Sequence, residues 1–331
     1  MRGSNGRDIG FDFLRAFAVF AVYICHIFNG QIKSPTLLLL CHVISPGITM
    51  SALGFMSGFL LSQRYNTFGD NFYIRRFLRI YTSLIICLTV IAAFHLCMGY
   101  HVMTQHTILH FMGLSLFIGL VGMENKSSLG GGLWFITVIL GMYVLLPLMR
   151  RLYSHRNRKV HIAGTIILCL LLNTFMYGAQ SSFNVIISFN LGCYLALNKK
   201  DFLSKKDIFF HVLGTALILI LCGYLTVFKA WKLRDLLFPL YPVVVIPLLY
   251  RIGSCIRGAL SKVVAWCSSI SYEVYIVHFY FINRNLIDLF PCINSPLIHI
   301  LTSFAIVIPL AYLLSTAAAK AQGFINAYLL G

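Results

Sequence analysis

Charge is scarce in this chain, and negative charge scarcer still: 11% of its 331 residues are Asp, Glu, Lys or Arg, and only nine of them are acidic. With 59% hydrophobic residues and a mean hydropathy of +0.84, it has more apolar surface than one water-soluble core can hide. It also lacks the alternating ten-residue segments of a membrane barrel, which leaves helical spans. The ten cysteines include no C-x-x-C pair. Scattered singly, as at Cys25, Cys87, Cys169, Cys222 and Cys267, they read as small hydrophobes and imply neither a disulfide frame nor a metal site. No repeat, low-complexity segment or long linker divides the sequence, so one membrane domain over 1–331 is expected, with any chemistry carried by the helices. No serine or cysteine stands in an obvious nucleophile setting, which favours direct group transfer. The first apolar run holds Asp12 and Arg15 and is not followed by a small-x-small cleavage site, so it is expected to be helix 1 of the mature protein.

What is present is a succession of apolar runs, each about 20 residues and long enough to cross a bilayer. They cover 11–30, 37–61, 77–98, 133–149, 161–178, 182–197, 208–228, 235–250, 264–282 and 297–318. A further run, 107–122, is too short and glycine-rich to assign by hydropathy. The net charge of +17 decides it. If 107–122 does not cross, nineteen of the 26 Lys and Arg residues fall on one side, among them Arg64, Arg75, Arg76, Arg79 and the cluster Arg150, Arg151, Arg156, Arg158, Lys159. Six fall on the other, and Arg15 lies within a span. The expectation is an all-α polytopic bundle of ten transmembrane helices with both termini cytoplasmic. The 99–132 segment is then a long external loop that dips into the membrane or packs on the bundle. This charge placement reflects topology, and no nucleic-acid partner is expected.

Arg15 and His26 are eleven residues apart in the first run, so they share one helix face about 16 Å apart in height. Ionisable groups inside a membrane usually face a protein interior or a wet cavity, although a snorkelling arginine and a packed histidine are the plainer alternative. Asp12, three residues before Arg15, can pair with it. Glu273 is a second intramembrane acid, whose expected partner is Arg15 or another cation near the cytoplasmic surface. His26 and His278 lie similar distances along outward-running helices and so reach similar depth. His278 also shares a stripe with Ser271 and Tyr275, which would suit simple packing. Gly47, Ser51, Gly54 and Gly58 form a small-residue stripe beside Ser57 that favours close helix contact or leaves room for a channel wall. Trp134 could stack on a sugar or anchor a helix at the interface. Arg79 falls three and four residues after Arg76 and Arg75. Such a group suits phosphate oxygens, lipid headgroups or plain topology bias.

In order along the chain, Asp12-Phe13-Leu14-Arg15 with His26 eleven residues on, FMSGFLL (55–61), FYIRRFLRIY (72–81), LWFITVILGMYVLLP (133–147) and SYEVYIVH (271–278) resemble the motif series of the integral-membrane acyltransferase-3 family. Three positions depart from it. Ile139 stands where many members carry glutamate, Thr82 where many carry proline, and no E-x-P follows in 312–324. The resemblance implies transfer of an acyl group, usually acetyl, from coenzyme A to a carbohydrate hydroxyl on the far side of a bacterial inner membrane. Its partners would be acyl-CoA, a surface polysaccharide or its lipid-linked precursor, and membrane lipids. It assigns His26 as general base, with His278 as a catalytic or orienting group. Arg15, Arg75, Arg76 and Arg79 would hold the coenzyme A phosphates, and Asp12, Ser57, Trp134, Tyr275 and Glu273 would support the site. The competing class is a transporter or flippase for a glycolipid or small metabolite, which the lack of an inverted repeat disfavours.

Overall fold

The computed structural model describes residues 8–31, 41, 46–64, 70–176, 180–198, 202–203, 208–283 and 296–329. Every regular element among the described residues is a helix: α1 (Ile9–Gln31), α2 (Pro46–Arg64), α3 (Asp70–Cys97), α4 (Thr107–Phe111), α5 (Ser115–Leu120), α6 (Trp134–Ser154), α7 (Arg158–Phe175), α8 (Gln180–Asn198), α9 (Ile208–Val227), α10 (Trp231–Asp235), α11 (Tyr241–Cys255), α12 (Gly258–Asn283) and α13 (Pro296–Leu329). Continuous apolar sequence forms helices because each backbone polar group is then satisfied within its own segment, a requirement in lipid. Five stretches are long and apolar enough to cross a membrane: Ile9–Ile27, Phe72–Cys97, Trp134–Ser154, Ile208–Val227 and Ile300–Tyr328. On α9 the side chains of Phe209, Phe210, Leu217 and Ile220 are largely exposed, as suits a helix against lipid.

Each of the ten expected apolar runs overlaps a helix, with instructive shifts. Helix α3 starts at Asp70, ahead of the expected run at 77, so Arg75 and Arg76 join Arg79 in its first turns. The 235–250 run shares only Asp235 with α10 and becomes helical again in α11, where proline in the first turn fixes the backbone. Gly258, at φ +61°, makes the turn into α12 in a conformation that favours glycine. The 107–122 run holds α4 and α5, of five and six residues, neither able to span a bilayer. Arg2, Arg7, Lys33, Lys199, Lys200, Lys205, Lys206 and Arg284, which entered the charge reading, lie outside the described residues, as do residues 37–40 and 42–45 of the second run.

Two compact units emerge. The first comprises 1–25, 33–67 and 141–268, the second 26–32, 68–140 and 269–331. In the first, α2 and α8 approach until their backbones touch. A Cβ at Gly54 would come within 2.8 Å of Val185 Cγ1, one at Gly58 would overlap the Phe189 carbonyl, and one at Gly192 the Phe55 carbonyl. The small-residue stripe is thus used for helix packing. Around it Leu14, Phe55, Met56, Phe59, Leu195 and Ile246 form a buried cluster. Asp8 caps α1 by accepting the Gly10 N–H at 3.0 Å, and takes the Tyr250 hydroxyl at 2.8 Å. Arg150 turns away from its basic cluster to donate to the Ser62 carbonyl in the last turn of α2, where helix carbonyls lack partners.

In the second unit the 99–132 segment is fastened to the helices. The Tyr81 hydroxyl on α3 donates to the Met112 carbonyl at 2.9 Å, and Thr137 Oγ1 on α6 donates to the Gly113 carbonyl at 2.7 Å while accepting the Leu116 N–H. Helix α13 runs for 34 residues, about 51 Å, well beyond the thickness of a hydrocarbon layer.

Candidate active site

The histidines fall in the second unit. His26 comes from α1 and His278 from α12, with ring centroids 5.3 Å apart and planes at 40°. Phe279 meets His26 edge-on at 5.6 Å. His278 is buried, and its Nδ1 lies 3.0 Å from the Val274 carbonyl one turn earlier. A carbonyl only accepts, so Nδ1 carries the proton and Nε2 holds the lone pair of the neutral ring. His26 is half-buried, and its ring makes no hydrogen bond among the described residues.

Tyr275, one turn before His278, donates its hydroxyl to the Gly132 carbonyl and packs on Phe135 at 5.7 Å. It ties the end of the 99–132 segment to α12. Trp134, half-buried, opens α6 and stands edge-on to Phe135 at 6.1 Å.

Glu273 has a cation within its own unit. Its buried carboxylate accepts the Ser83 hydroxyl at 2.6 Å, and the cation whose charge acts on it is Arg79. Ser83 and Arg79 are four residues apart on α3 and so share a face. Arg75 and Arg79 are exposed on those first turns, and Arg76 is half-buried.

In the first unit, Arg15 Nη1 lies 3.4 Å from Asp12 Oδ1 and donates to Ser268 Oγ at 3.1 Å. The Ser268 hydroxyl in turn donates to Asp12 Oδ1 at 2.8 Å. Asp12 is buried while the Arg15 side chain is 35% exposed, so the guanidinium is held on its Asp12 and Ser268 side and reaches the surface. Ser57 is half-buried on α2.

A polar web joins the end of α3 to the 99–132 segment, and its partners carry no shared sequence motif. His95 Nδ1 lies 2.8 Å from Ser128 Oγ. His110, buried, has Nε2 at 3.1 Å from Asn125 Oδ1 and Nδ1 at 2.9 Å from Ser115 Oγ. Burial holds the His110 imidazole below its ordinary value of 6.5, with the Asn125 bond opposing the shift and His106 reinforcing it. Gly130, at φ +96°, lies so close to this ring that a Cβ would overlap it. Its N–H donates to the Tyr280 hydroxyl at 3.0 Å. The only sequence signal was local: the small polar and glycine run NKSSLGGG, 125–132.

Against this geometry, the profile of the acyltransferase-3 family, described as an acyltransferase domain, matches residues 8–316. The chain belongs to the acyltransferase-3 family. Comparisons with curated proteins and with solved structures found no match. The acyltransferase-3 match takes in Asp12, Arg15, His26, the arginines of α3, Trp134 and the Glu273–His278 stretch, and ends within α13. The protein is an integral-membrane acyltransferase.

Proposed function

We propose that this acyltransferase moves an acetyl group from acetyl-CoA to a hydroxyl of a cell-surface polysaccharide or its lipid-linked precursor, of O-antigen or exopolysaccharide type. The observation that carries the reading is the His26–His278 pair, held in a membrane domain whose family transfers acyl groups. The acceptor hydroxyl attacks the thioester carbonyl while His26 takes its proton. The carbon–sulfur bond breaks, and the proton passes to the departing thiolate, so no net proton is released. His278, its Nδ1 committed to the Val274 carbonyl, keeps a neutral ring beside His26 and orients it.

Arg15, clamped by Asp12 and Ser268, and Arg75, Arg76 and Arg79 on the first turns of α3 take the coenzyme A phosphates. Glu273 steadies Arg79 through its charge, Tyr275 and Trp134 brace the acceptor side, and Ser57 lies along the donor path. We assign the chain to a bacterial inner membrane as one domain over 1–331, with ten spans and both termini in the cytoplasm. The asymmetry of Lys and Arg between loops supports that assignment.

Mass spectrometry of surface glycans from cells with and without the protein tests the proposal. Loss of an acetyl increment from one sugar is expected on deletion. Unchanged acetylation together with accumulated unexported glycan would favour a flippase instead.

A further inference from the structure

The second unit contains a small, mainly apolar cavity lined by Asn125, Ser127, Ser128, Leu129, Gly131, Phe279 and Tyr280. Amide and hydroxyl groups of the 125–128 turn stand beside Leu129 and the aromatic rings of α12. Sugars present both kinds of surface, hydroxyl edges and an apolar C–H face. The cavity measures about 70 Å³, room for roughly two waters. One hydroxyl-bearing carbon of a sugar fits that space.

The polar arc is rigid. Ser127 Oγ donates to the Val102 carbonyl at 2.9 Å and accepts the Leu129 N–H. Asn125 Nδ2 donates to the Leu129 carbonyl at 2.6 Å, and the Ser128 N–H donates to the His101 carbonyl at 2.8 Å. Ser128 Oγ is also bonded to His95 Nδ1, and among the described residues the second Nδ2 hydrogen of Asn125 and a lone pair of Ser128 Oγ remain beyond these partners. Pre-organised groups of this kind bind without the cost of ordering a loop.

Position connects the cavity to the histidines. Phe279 forms part of its wall, and the same ring packs edge-on against His26 at 5.6 Å. A hydroxyl-bearing carbon seated here is therefore one ring away from the proposed base. Gly131 sets the position of that ring, since a Cβ there would collide with Phe279.

We infer that this cavity is the acceptor subsite, taking a hydroxyl-bearing carbon of the carbohydrate between Asn125 and Ser128 on one side and Phe279 on the other. The inference rests on the acetyltransferase reading above.

The full-length protein in nanodiscs is assayed with labelled acetyl-CoA and an extract of lipid-linked glycans from the producing cells as acceptor. Ser128→Ala removes a polar contact, and Gly131→Ala displaces the Phe279 ring while leaving every polar group in place. Both variants are expected to raise the apparent KM for the extract by about tenfold, with the KM for acetyl-CoA unchanged. An unchanged acceptor KM in both, or a parallel rise in the two KM values, overturns the subsite while wild-type transfer still supports the enzyme. No transfer by the wild-type protein to any glycan in the extract defeats the acetyltransferase reading itself.

Discussion

His26 and His278 come from helices 252 positions apart in the sequence, yet their rings stand 5.3 Å apart at 40°. Val274 fixes the protonated nitrogen of His278, so the pair has one defined proton acceptor on its second member and a half-buried first member next to it. If the two act as a unit, their losses are not additive. His26→Ala and His278→Ala are each expected to lower kcat by about 10²–10⁴, and the double variant to be little worse than either. Steady-state rates with labelled acetyl-CoA give the comparison. Independent, multiplying effects would show that the rings do not cooperate.

Donor binding follows from the arginines. Arg75→Ala with Arg76→Ala is expected to weaken coenzyme A binding by about tenfold or more, with kcat at saturating donor less affected. Isothermal titration with coenzyme A reads this directly. An unaltered dissociation constant assigns these residues to topology alone.

The clamp on Arg15 makes a finer prediction. In Asp12→Asn the Ser268 bond can persist while the charge is lost, so acetyl-CoA KM should rise with little change in thermal stability. Ser268→Ala leaves the 3.4 Å ion pair and should be the milder variant. The reverse order would mean that Ser268, not Asp12, holds the guanidinium.

Stability of the first unit depends on α2 touching α8. At Gly58 an added methyl meets the backbone carbonyl of Phe189, which cannot rotate away as a side chain could. Gly58→Ala is expected to cost about 1–3 kcal/mol, read as a lowered unfolding temperature in detergent. Gly141→Ala, inside α6 where nothing lies within 4 Å of an added Cβ, is the control and should be neutral or stabilising by up to about 1 kcal/mol.

Acidification should loosen the 99–132 segment. Burial keeps His110 neutral below its ordinary value of 6.5, while the unfolded segment takes up its proton near that value. The folded form therefore binds fewer protons, and its stability falls as pH drops through 6.5 toward the lower folded value. Hydrogen exchange of residues 101–130 should be faster at pH 5.5 than at pH 7.5 after correction for intrinsic rates. A His110→Asn variant should lose most of that difference.

Helix existence was legible because apolar run length dictates it: each of the ten runs overlaps a helix, and the glycine stripe on α2 does meet a neighbouring helix. Boundaries were less so. Hydropathy starts the third run at 77, but the backbone of α3 is helical from Asp70 and takes in Arg75 and Arg76 as well, because arginine is a good helix former and its charge can reach water. Long-range polar partners were not legible at all. Glu273 meets Ser83, an ordinary serine with no local signature, and Arg150 leaves its basic cluster for the Ser62 carbonyl. The web of His95, His110, Asn125 and Ser128 joins residues whose roles only the folded segment reveals, since nothing in their spacing marks them as neighbours.

Transfer of labelled acetyl from acetyl-CoA to a lipid-linked glycan is measured with purified protein, with and without the His26 imidazole. Product is expected with the wild-type chain and a loss of about 10²-fold or more in His26→Ala, with coenzyme A binding retained. Equal product from both would contradict the role of His26 as base.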